Sequence, residues 1–209
     1  MRALLNRIRG FRRDERGVAA VEFALIMPFL IALYLGSMEA SALFTADKRV
    51  NSISATLGDL VSQWDPDDGT LKTSLSTDPL PTYFAAAQGI ITPYPTAGVT
   101  QVVSLLFVKS DGTTKVIWSK ASGTGAVART QGTSFSPLAA STTTNSIARG
   151  GCIIASEVSY SYKPLLGYMF KNALNLSHVN YFIPRYGATS VIKVDSPTVA
   201  DTSCTTGVY

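Results

Sequence analysis

The chain has one histidine, His178, and two cysteines, Cys152 and Cys204. With a single imidazole, a histidine-based metal centre or a Ser-His-Asp site would hang on His178 alone. Its neighbours Ser177, Val179 and Asn180 suggest neither, so it reads as an ordinary strand residue. No nucleophile–base pair can be picked out that would support a membrane-tethered hydrolase, and no cofactor is expected. Charge is scarce too, at 15% of residues, and its excess is confined. Residues 1–17 hold six arginines (Arg2, Arg7, Arg9, Arg12, Arg13 and Arg16) against Asp14 and Glu15, which accounts for the whole net charge of +4. Everything after them is electrically balanced. A neutral remainder lacks the basic footprint that phosphate recognition requires, so nucleic-acid binding is excluded despite the high isoelectric point.

Between residues 18 and 38 acids and bases are absent except for Glu22. These 21 positions would make about 32 Å of α-helix, enough to cross a hydrocarbon layer of about 30 Å. The arginines ahead of the run place residues 1–17 in the cytoplasm and the rest beyond the membrane, by the positive-inside rule. A secretory signal has a shorter apolar core, although Ala40-Ser41-Ala42 supplies a small-residue cleavage pattern. A plain single-pass anchor with Glu22 reaching toward the interface is a second alternative. A carboxylate inside the run costs about 2.5–3.5 kcal/mol on insertion scales, which makes Glu22 a functional residue by default.

Past Phe44 the residues Val50, Ile53, Leu57, Leu60, Val61 and Trp64 recur at three- and four-residue spacing. That stripe predicts one helix over residues 18–64, roughly 70 Å long, whose second half lays a face on a domain. Pro28 falls in its apolar half, where it removes a backbone bond and kinks the rod. Asp65, Pro66, Asp67, Asp68 and Gly69 end the helix; the acids form a turn rather than a calcium loop, whose downstream glutamate is absent.

Residues 70–209 read as strands and loops. Residues 99–108 and 114–120 predict a hairpin around Asp111-Gly112, and 151–162, 174–184 and 188–194 predict further strands. A short helix is expected near residues 83–88, and residues 122–147, rich in Gly, Ser, Thr and Ala, read as a long loop. Within it Gly123-Thr124-Gly125 has dinucleotide-loop spacing, but no helix pattern follows, so it is loop sequence. Glu157 and Lys163 read as a solvated pair on a strand face. Tyr160, Tyr162, Tyr168, Tyr181 and Tyr186 serve core and strand packing first, a partner surface second. The even cysteine count in an exported region favours a Cys152–Cys204 bridge, with two free, buried thiols as the alternative. The expected class is α+β: a long helix packed on four or five antiparallel strands. The expected divisions are a basic leader at 1–17, the helix at 18–64 and an exported β-rich unit at 65–209.

The string Arg16-Gly17-Val18-Ala19-Ala20-Val21-Glu22-Phe23-Ala24-Leu25-Ile26-Met27-Pro28 closely resembles the TadE-like pseudopilins of tight-adherence (Flp-type, type IV) pili. A looser likeness to the family's C-terminal strand covers residues 158–165. The resemblance implies a minor pilin or pseudopilin, cut by a prepilin peptidase between Gly17 and Val18 on the cytoplasmic face of a bacterial inner membrane. It implies that Glu22, followed by the aromatic Phe23, pairs with the new α-amine of a neighbouring subunit. The implied partners are the peptidase, other pilins and pseudopilins, the assembly platform and the inner membrane, with possible incorporation into a surface pilus. Without a filament, the same layout would describe a single-pass protein whose head binds a periplasmic partner.

Overall fold

The computed structural model describes residues 17–64, 79–109, 112–135, 151–164, 167 and 172–185. Its longest element is helix α1, Val18–Ser62, of 45 residues, and it runs through Pro28 without a break. The proline takes one N–H out of the ladder but does not end the helix. Gly17 caps the N-terminus without a side-chain bond, and the C-terminus closes with the Gln63 N–H donating to the Asp59 carbonyl and the Trp64 N–H to the Val61 carbonyl. The expected end at Trp64 is therefore two residues late, within ordinary fraying.

Four strands follow: β1 (Val99–Val108), β2 (Thr114–Ser122), β3 (Cys152–Tyr162) and β4 (Leu174–Phe182). They form one antiparallel sheet in the order β2-β1-β3-β4. The hairpin between β1 and β2 is the expected one, with Gly112 at φ 86°, a conformation a side chain disfavours. Helix α2 (Leu80–Gln88) is longer than expected because Pro79 and Pro81 frame its first turn, where a missing N–H costs nothing. Short 3-10 turns at Gly89–Ile91 and Thr96–Gly98 lead into β1. The candidate strand at residues 188–194, the acidic turn at Asp65, Asp67 and Asp68, and Tyr168 and Tyr186 lie outside the described residues. Cys152 is buried at the start of β3, but Cys204 also lies outside them, and with it the expected pairing.

The packed half of α1 buries Ala46, Val50, Ile53, Leu57 and Val61 at the three- and four-residue spacing that the sequence predicted. Ser54, Gly58 and Ser62 fill the same face with small side chains, which lets the strands approach closely. A methyl group on Gly58 would collide with the Phe182 ring. The opposing surface is the face of the sheet carrying Val103, Leu105, Ile154, Val158 and Tyr160, closed at one side by Leu80, Phe84 and Ile91. Burying an Ile or Leu here contributes about 1.5–3 kcal/mol each.

Polar contacts set how the strands lie along the helix. Ser54 donates its hydroxyl to the Ser156 carbonyl at 2.7 Å, while Glu39, four turns earlier, accepts from the Gly167 N–H at 2.9 Å, beyond the end of β3. Thus β3 descends α1 toward its apolar half. β4 climbs back: His178 pairs with Asp47 at 2.7 Å, Asn180 donates to Asn51 and Ser54, and Arg185 pairs with Asp59. His178 is thus a docking contact between strand and helix, which its neighbours in sequence did not reveal.

The region expected to be one long loop is partly ordered onto the sheet. Gly123 turns the chain after β2 at φ +105°, where any Cβ would strike the Val99 carbonyl. The chain then returns, and Lys115 bridges Ser134 along the outer edge of β2. The Val116 N–H reaches the Thr133 carbonyl at 3.0 Å, and the Gly132 N–H reaches the Val116 carbonyl at 2.8 Å. This added pairing covers one sheet edge, a recognised way to block edge-to-edge association. Phe135 is buried with Leu106, Val116 and Ala155 as a second small core on the face away from α1. Glu157 correspondingly does not pair with Lys163. It accepts two hydrogen bonds from Arg129, the Nε–Oε2 distance being 2.7 Å, and Arg129 also lies 4.8 Å above the Phe135 ring. The returning loop brings a cation that residue spacing along β3 could not reveal.

Candidate assembly segment and its junction with the head

Every side chain from Val18 to Tyr34 is exposed, and none of the most apolar 18-residue window is buried. In a water-soluble protein such a surface would be a large liability; lipid or other apolar helices are its natural surroundings. By length and composition α1 is able to cross a membrane, with a mean hydropathy of 2.3 in that window. Glu22 and Phe23 stand on this exposed portion, Phe23 at 57% exposure. Gly17 is open, with nothing near the position a Cβ would take. The sequence-predicted residues Gly17, Val18, Glu22, Phe23 and Pro28 therefore share one rod, and all of them are exposed.

The exposed stretch gives way to the head at Glu39. This carboxylate is only 3% exposed and accepts the Gly167 N–H. In the sequence Glu39 is only the first charge after Glu22; the fold shows that the head encloses it. Three residues on, the Ala42 carbonyl accepts a 3.0 Å bond from the Tyr94 hydroxyl. Tyr94 stacks edge-on against Tyr162, ring centroids 5.9 Å apart, and tilts against Tyr160 at 6.5 Å. Burial pushes the Tyr160 and Tyr162 phenols above the usual tyrosine range, with Tyr94 and, for Tyr162, also Glu39 adding to it. The expected packing role of these tyrosines holds, while Tyr181, at 39% exposure, leans edge-on against Phe135 on the other face.

Among the described residues no group of three or more His, Cys, Asp or Glu side chains converges to hold a metal. Gly123 and Gly125 form a turn, and the described residues 126–135 after it are not helical, as expected of loop sequence. What the architecture defines is an α+β protein: an apolar N-terminal rod with an antiparallel-sheet head on its distal half. The family model described as TadE-like protein matches residues 17–56, from the candidate cleavage glycine into the packed half of α1. The match leaves the sheet uncovered, including the weaker likeness at residues 158–165. No curated protein and no solved structure matches the chain.

Proposed function

We propose that this protein is a minor pilin or pseudopilin of a tight-adherence pilus, made as a precursor and cut by a prepilin peptidase after Gly17. The observation that carries the reading is a TadE-like segment whose helix is exposed from Val18 to Tyr34 and carries a single charge there, Glu22. Cleavage there removes the basic leader at residues 1–17 and keeps the helix, unlike secretory processing, which discards the apolar core. The Val18 amine then becomes a cation one helical turn from Glu22. A neighbouring subunit's amine offsets the cost of burying that carboxylate, and a misregistered subunit leaves it unpaired. Pro28 gives the rod a bend point.

In this reading residues 18–64 form the membrane and filament helix, and 65–209 form the exported head. The leader faces the bacterial cytoplasm, the helix waits in the inner membrane, and the peptidase, sister pilins and assembly platform are its partners. A Cys152–Cys204 bridge holds the C-terminal segment to β3 once exported; a mass that fails to rise by two hydrogens on reduction would exclude it.

Mass spectrometry of the membrane-extracted protein tests the central claim. A mature chain beginning at Val18 is expected; one beginning at Met1 or after Ala42 would overturn it. The competing reading, an anchored periplasmic binding protein outside any filament, makes Glu22 dispensable. Glu22→Ala is expected to leave the amount of protein in the membrane unchanged and to abolish recovery in sheared pili.

A further inference from the structure

A groove of about 860 Å³ opens where α1 leaves its exposed apolar stretch. Its wall is Tyr94, Tyr160 and Tyr162; Pro93, Pro95 and Pro164 shape its mouth, and Ala42 of the helix forms part of its floor. Gly98 makes the approach possible, since a Cβ there would press on the Tyr160 ring at 3.1 Å. Among the described residues lining it, Lys163 is the one that carries a charge, and it is exposed.

The height of this groove along α1 is the informative quantity. Glu39 is enclosed by the head, so the part of α1 available to hydrocarbon ends before it. Ala42 lies four residues past Met38, about 6 Å further along the axis. Headgroup layers extend about 5–7 Å beyond the hydrocarbon on each side. A groove built on Ala42 therefore opens at headgroup level whichever way the helix tilts within its usual range. Tyrosines and a lysine at that depth are what a membrane interface favours: rings against glycerol and upper acyl carbons, cation toward phosphate.

We propose that this groove seats the headgroup of an anionic phospholipid, Lys163 on the rim meeting its phosphate and the three tyrosines walling its glycerol. The head then rests on the membrane through a specific lipid contact, which is lost when the helix leaves the bilayer. The inference rests on residues 18–38 spanning a membrane, as proposed above. It is independent of peptidase cleavage.

Photoreactive phosphatidylglycerol tests it on the full chain in phosphatidylcholine vesicles, with the reactive group on either the acyl tail or the headgroup. The tail probe is expected to label residues 18–38, and the headgroup probe residues 93–98 and 160–164. Lys163→Gln, at an exposed position, is expected to lower headgroup labelling about fivefold without changing tail labelling. Tail labelling with no groove labelling would overturn the lipid site alone; no tail labelling would overturn the spanning reading and the site with it. Equal labelling by a neutral headgroup probe, or displacement by a soluble proline-rich peptide, which aromatic grooves also accept, would overturn it as well.

Discussion

The two halves of α1 differ both in how much apolar side chain they carry, the first being far richer, and in how it is arranged. From Val18 to Met38 apolar residues occupy every direction around the axis, and the head covers none of the first 17. From Ala46 to Ser62 the buried ones fall on one stripe, with Lys48, Asn51 and Ser52 turned outward. A helix that is apolar all round has no direction in which to dock on a sheet, while a striped one has a single direction. One continuous helix can thus serve two surroundings, and Glu39 marks where they change.

The sharpest test is a matched truncation in each half. Leu57→Ala removes a fully buried side chain and is expected to destabilise the head by about 2–5 kcal/mol. Leu33→Ala, in the exposed half, is expected to stay within about 0.5 kcal/mol, both read by denaturant unfolding in detergent micelles. Next in size is Gly58→Val, which drives a side chain into Phe182 and is expected to cost about 1–3 kcal/mol by the same measurement.

The two acids of α1 offer a finer comparison. Glu39→Ala takes the acceptor from the Gly167 N–H and is expected to cost about 1–3 kcal/mol, with faster amide exchange at Gly167. Glu39→Gln, which keeps an acceptor, is expected to recover part of that loss. Glu22→Ala is expected to leave the unfolding of the head untouched, its effect appearing only in assembly. The smallest effect concerns pH. Because burial raises the Tyr160 and Tyr162 phenols, the folded state prefers them neutral. Their contribution is complete below the ordinary phenol value of about 10 and is lost as pH rises through their higher folded values. Absorbance titration of phenolate should show this loss as a late, cooperative step that coincides with unfolding of the head. Phenolate appearing at the ordinary value with the head still folded would contradict it.

Much of this was legible in the residues because periodicity is local. The stripe from Val50 to Val61 announced a packed helix, and the uncharged run before it announced an exposed one. The hairpin at Gly112 and the strands now seen as β3 and β4 followed from alternation and turn chemistry. The candidate residues Gly17, Val18, Glu22 and Phe23 stood out because they lie in one contiguous string, which the TadE-like match covers; their roles belong to the proposal.

Contacts between distant segments were not legible. Sheet order β2-β1-β3-β4 depends on which edges meet. The Arg129–Glu157 pair depends on a loop folding back, as does the added pairing at Ser134 on β2. His178 found Asp47, 131 positions away, because β4 climbs the helix in a register set by Ser54, Gly58 and their neighbours. Glu39 is the clearest case. In the sequence it is simply the charge that stops an apolar run, since hydropathy along the chain cannot tell a solvated carboxylate from an enclosed one. The sequence alone determined that a lipid-compatible helix with one internal acid precedes a balanced α+β head, because composition and period act within a single element. Only the tertiary structure decided where that helix stops being available to lipid, because that depends on which strands lie against it and which donor reaches Glu39.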